Sequence, residues 1–68
     1  MIAVFLANGF EEIEAFATVD VLRRAELDVV TIGVGGKVIR GSHGITVAAD
    51  VEDSQATTVG LEAVVLPG

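Results

Sequence analysis

A carboxylate set into an apolar helical stripe is the group in this chain best placed for proton chemistry. Phe10, Glu14, Ala17, Val21 and Ala25 recur at about 100° per residue along one face of a helix expected over Phe10 to Ala25. Glu14 thus falls where the pattern predicts burial. A buried carboxylate without partners is costly or has its pKa pushed up, which makes it a proton donor or acceptor near neutral pH. A solvent-facing Glu on a broader stripe gives the same spacing, and periodicity alone does not separate the two.

The other candidates lie in turns. His43, the single histidine, sits in Gly41-Ser42-His43-Gly44, with no Cys in the chain to activate and no acid beside it in sequence. A surface turn residue is the simpler reading of His43. Ser42 lacks the Gly-x-Ser-x-Gly surroundings of a nucleophile elbow and reads as a turn residue. Pro67-Gly68 closes an apolar segment, either as a strand terminator or as a place where backbone N–H groups face a reacting anion. Gly33-Val34-Gly35-Gly36-Lys37 fits neither the Walker pattern nor the dinucleotide fingerprint, and strand-like residues follow it, so a hairpin turn is expected. No ligand pair has metal-site spacing, and no cofactor is implied.

Positioning these groups falls to a short α/β succession. An apolar strand, Ile2 to Ala7, leads into Asn8-Gly9-Phe10-Glu11, which has the form of a capping box with Asn8 as N-cap. Arg23 and Arg24 suit the last turn of the helix electrostatically. The Val- and Ile-rich segment Leu27 to Val34 completes a βαβ unit, with a right-handed crossover and a parallel sheet. Val38 to Arg40 and Ile45 to Ala49 predict a short antiparallel excursion. A helical turn is expected near Asp53 or Ser54, and Glu62 to Leu66 predicts another buried parallel strand. Phe16 and Val19 fall outside the apolar stripe and suggest an outward, dimer-forming face.

Of 68 residues, 51% are hydrophobic, against 4 basic and 10 acidic side chains and no Cys. The formal charge of −6 argues against nucleic acid or an anionic membrane as partner. The first apolar run is too short for a signal peptide or a membrane span, so a cytoplasmic location is expected. So much apolar sequence in so short a chain predicts burial against something further. A parallel strand ending at Leu66-Pro67-Gly68 points the same way, to the first part of a larger domain.

Val4 to Ala15, Asp20 to Ala25, Gly41 to Ile45, Ala49-Asp50 and Val64 to Gly68, taken in order, resemble the ThiJ/PfpI superfamily, and most nearly its Parkinsonism-associated deglycase branch. The resemblance implies a flavodoxin-like parallel sheet sandwich, of which residues 1–68 are the N-terminal segment of one larger domain. It implies a homodimer and a nucleophilic Cys on a strand-to-helix elbow, in a remainder of the domain about thirty residues beyond Gly68, by the family's α/β spacing. Residues 1–68 would then be a truncated or nicked chain without a nucleophile of its own.

Glu14 matches the family's conserved acid, which is protonated and hydrogen-bonds the thiolate. Pro67 and Gly68 match the start of a Pro-Gly-Gly turn beside that Cys, as oxyanion donors or pocket wall, and Asn8, Gly9 and His43 match positions near the pocket. His43 stands where some relatives carry Arg. The implied activity is deglycase or glyoxalase-III-like, on small methylglyoxal-type carbonyls or their adducts. A non-catalytic redox-sensing or chaperone-like stress protein is the main alternative. A receiver module of the same fold is disfavoured, because it needs a phosphorylatable Asp where this chain has Leu66-Pro67-Gly68.

Overall fold

The computed structural model describes residues 1–68 throughout. Its elements are β1 (Ile2–Leu6), α1 (Glu12–Arg24), β2 (Val29–Gly33), β3 (Val38–Arg40), β4 (Thr46–Ala48), β5 (Val51–Glu52), a 3-10 turn (Asp53–Gln55) and β6 (Ala63–Val65). The four-stranded sheet has the order β5-β2-β1-β6 with every pairing parallel. β1 is central, with Ile2 opposite Val29 on one side and Ala63 on the other. β3 and β4 form a separate antiparallel hairpin, Val38 opposite Ala48 and Arg40 opposite Thr46. The expected α/β architecture with a parallel main sheet is what the chain adopts. No helix is long and apolar enough to cross a membrane.

Alternation along β1 explains the core. Val4 and Leu6 turn toward α1 and pack with Ala15, Val19, Val29, Phe10 and Ile39. Ile39 lies between exposed Val38 and Arg40, and its partly buried partner Val47 packs against the same core, so the hairpin turns one face inward and keeps the other wet. Burying a side chain such as Leu6 contributes about 1.5–3 kcal/mol.

Three expectations need correction. The buried face of α1 carries Glu12, Ala15 and Val19, with Phe16 and Leu22 partly buried, whereas Glu14, Ala17, Val21 and Ala25 are exposed. The helix starts at Glu12, and that start sets which residues meet β1 and β2. Phe16 packs edge-on against Phe10 at 5.4 Å and Val19 joins the core, so neither forms an outward face; Ile13, Ala17 and Val21 do. Asn8 is not the N-cap: Glu11 holds that position without a side-chain cap bond, and Asn8 Oδ1 accepts the Arg40 N–H at 3.0 Å. Finally, within residues 1–68, β6 pairs with β1 alone and leaves Ala63 and Val64 exposed.

The end of α1 has the hydrogen bonds of a Schellman motif, Glu26 N–H to Arg23 C=O and Leu27 N–H to Leu22 C=O. Glu26 takes the left-handed position at φ 62°, where glycine is usual. Below it, Arg23 donates to Asp50 Oδ2 at 2.9 Å, the Thr31 N–H donates to the same Oδ2, and the Asp50 N–H is shared between Thr31 Oγ1 and Thr31 C=O. The Thr31 amide, aided by Arg23, outweighs burial and holds the Asp50 carboxyl below the usual range. The Gly33–Lys37 turn bends back, and the Gly35 N–H points at Asp53 Oδ2 at 3.3 Å, so the chain's own carboxylate occupies that amide.

Candidate active site at the carboxyl end of the sheet

Open parallel sheets place ligands at the carboxyl ends of their strands. Here the loop after β1 and the end of β6 face one another across an open cleft of about 330 Å³. Asn8, Gly9 and Phe10 form one wall and Leu66, Pro67 and Gly68 the other. Gly9 sits at φ 90°, a conformation that costs a side chain energy, and its N–H donates to Arg40 C=O at 2.8 Å. Ser42 N–H donates to Phe10 C=O. The hairpin therefore braces the wall through backbone bonds on both sides of Gly9.

Glu14 is exposed on the first turn of α1 beside this cleft. Its Oε2 accepts the Gly68 N–H at 2.9 Å, and the Glu11 N–H donates to Gly68 C=O. Oε1 makes no hydrogen bond within the chain. Gly68 N–H meets the Glu14 carboxylate and Pro67 has no N–H, so this pair forms cleft wall and carboxylate tether here. Asn8, Gly9, Pro67 and Gly68 thus line one cleft with Glu14 at its edge. His43 does not line it.

The buried carboxylate is Glu12, which periodicity missed. Its Oε2 accepts the His43 N–H at 2.8 Å and the Ile45 N–H at 3.3 Å, while Oε1 takes Ser42 Oγ at 3.3 Å and His43 Nδ1 at 3.0 Å. Burial raises the Glu12 pKa, but the backbone and His43 hydrogen bonds together overcome it and hold the group at about 2. The Glu12 hydrogen bond, helped by the charges of Glu11 and Glu12, raises the His43 pKa above the ordinary histidine value. Gly41 is required by close approach, since a Cβ there would lie 2.4 Å from Glu12 Cδ. A Glu in a Glu-Glu pair opposite a Ser-His turn was the available sequence signal; only the fold shows that they meet.

Ser42, His43 and Glu12 do not amount to a catalytic triad. Ser42 Oγ lies 3.1 Å from the same Nδ1 that meets Glu12, so the imidazole cannot take a proton from Ser42 on one nitrogen while the acid orients the other. Glu11, Glu12 and His43 bring three donor atoms within 4.8 Å of one another. The four acceptor positions of Glu12 are already used, and a helix N-terminus disfavours a cation, so the cluster is not arranged to hold a metal.

The DJ-1/PfpI family model matches residues 1–68. The chain belongs to the DJ-1/PfpI family. It is 38% identical over 66 residues to Protein dj-1beta of Drosophila melanogaster, covering 96% of this chain and 35% of that protein. It superposes with TM-score 0.88 and 44% identity on a DJ-1 superfamily protein of Salmonella typhimurium crystallised as a cysteine-to-alanine mutant, covering 98% of this chain and 37% of that one. Against an oxidised Toxoplasma gondii DJ-1 the TM-score is 0.81 at 30% identity, covering 98% and 37%. The chain spans about a third of the length of these relatives. The flavodoxin-like architecture of the family accounts for the parallel order described above.

Proposed function

We propose that residues 1–68 are the N-terminal segment of a cysteine-dependent DJ-1/PfpI enzyme of deglycase or glyoxalase type, acting on methylglyoxal-like carbonyls or their adducts. Glu14 supplies the acid, and the nucleophilic Cys comes from a following segment of the domain, on the same or a nicked polypeptide. The observation that carries this reading is the Gly68-to-Glu14 hydrogen bond, which holds a carboxylate with one free oxygen at the carboxyl end of the sheet.

In such a site a thiolate adds to the carbonyl carbon and the electron pair moves to oxygen, while a carboxyl group within reach holds or returns the proton. Glu14 Oε1 is the group in this chain suited to that role. Pro67 and Gly68 wall the cleft, and Asn8 and Gly9 close its other side. A homodimer through the exposed Ile13, Ala17 and Val21 face of α1 belongs to the same reading. The test is methylglyoxal consumption by the complete domain with Glu14→Gln; the proposal expects turnover to fall, and unchanged turnover rejects the role of Glu14.

A second reading, redox sensing without turnover, draws on the relative solved in an oxidised form. Oxidant-dependent modification of the domain's Cys with no carbonyl consumption would favour it.

A further inference from the structure

We propose that Glu12 is a positioning residue whose contact with His43 latches the β3–β4 turn onto α1 and, through Arg40, fixes the Asn8–Phe10 wall of the cleft, with protonation of His43 tightening the latch. The hydrogen bonds run without a gap. Glu12 holds the amides of His43 and Ile45 and the ring of His43. The turn continues into β3, where Arg40 accepts the Gly9 N–H and donates its own N–H to Asn8 Oδ1, and Ser42 N–H reaches Phe10 C=O. Glu12 lines no part of the cleft, so it acts on the wall only through the hairpin.

The ring is exposed, and the charged groups around it are few. Glu12 Oε1 lies at 3.0 Å and Glu11 Oε1 at 3.8 Å from Nδ1, both from the start of α1, and the Arg40 guanidinium lies against Gly44 on the hairpin side. Two carboxylates against one guanidinium favour the imidazolium, in keeping with the raised His43 pKa. The sign follows from linkage: a group whose pKa is raised by folding contributes fully below its unfolded value, and that contribution is lost as pH rises through the folded value. The latch is therefore tightest in mild acid and loosens above the folded pKa of His43, where the neutral ring keeps at most an uncharged hydrogen bond. This window overlaps the pH range in which a histidine serves as a physiological switch.

Only the functional consequence rests on the cleft being the working site, so the test reads the latch directly. In the complete domain, imidazole NMR and amide exchange are followed from about pH 5 to about pH 9. After correction for intrinsic exchange, the His43, Ile45 and Gly9 amides are expected to lose protection together along the His43 titration, which lies above the ordinary histidine value. H43Q is expected to remove that pH dependence, and E12Q to bring the His43 titration down. H43Q keeps the test intact should E12Q fail to fold. A His43 titration at or below the ordinary value, or a Gly9 amide unmoved while His43 titrates, overturns the proposal. Absence of methylglyoxal turnover bears on the proposed function alone and leaves this result standing.

Discussion

Gly68 N–H and Glu14 Oε2 meet at 2.9 Å across 54 residues of sequence, joining the segment after β6 to the first turn of α1. The contact leaves little room: a Cβ on Gly68 would stand 2.7 Å from Glu14 Oε2. In the complete domain, Gly68→Ala is expected to displace the carboxylate without unfolding the protein, since the far end of a Glu side chain moves easily. A misplacement of about 1 Å at a reacting group can lower kcat by about 10²-fold. Steady-state kinetics should show the loss in kcat with little change in KM.

Gly41→Ala tests the other carboxylate. The new methyl group would enter the space of the Glu12 side chain, so the His43 and Ile45 amides should lose their acceptor. Heteronuclear NMR should show both amides shifted and less protected, and thermal unfolding should move to lower temperature.

Acid should act on the same contact. The Glu12 pKa is lowered to about 2 in the folded chain, so its contribution to stability is present above the ordinary glutamate range and is lost as pH falls toward that value. Denaturant unfolding followed downward in pH should show stability declining below the ordinary glutamate range. Glu12→Gln should flatten the decline, and an equally steep decline in that variant would assign it to other carboxylates.

Glu26→Gly should stabilise the fold. Glu26 sits at φ 62° in the Schellman turn, and a left-handed conformation costs a side-chain-bearing residue roughly 1–2 kcal/mol, partly offset by the greater unfolded-state freedom of glycine. A net gain of about 1 kcal/mol is expected by equilibrium denaturation.

Leu6→Ala, by contrast, should cost about 2–5 kcal/mol, because Leu6 is fully buried between β1 and α1. Val38→Ala, on the exposed face of the hairpin, should stay within about 0.5 kcal/mol. Comparing the two by urea unfolding checks where the core lies.

The sequence was most legible where spacing is local. The apolar run from Ile2 to Leu6, the Val-rich β2 and the glycine-bounded hairpin are each marked by their own composition or punctuation, and the parallel βαβ order follows from them. The face of α1 was misread because it depends on where the helix starts. Asn8 looked like a cap, yet its side chain serves Arg40, and a start at Glu12 turns Glu12 inward and Glu14 outward. β5, two residues long, has no pattern of its own and exists because Ile32 and Gly33 pair with it. Asn8, Gly9, Pro67 and Gly68 could be marked as turn residues, but their meeting across one cleft, and the meeting of Glu12 with His43, are products of the tertiary fold.

The most direct test of the account is the thiolate titration of the complete domain, read by ultraviolet absorbance with and without Glu14→Leu. A carboxyl group that donates a hydrogen bond to the thiolate lowers its pKa, so the account predicts a thiol titrating at higher pH once Glu14 is replaced. The same titration in both proteins would contradict the claim that Glu14 faces the nucleophile.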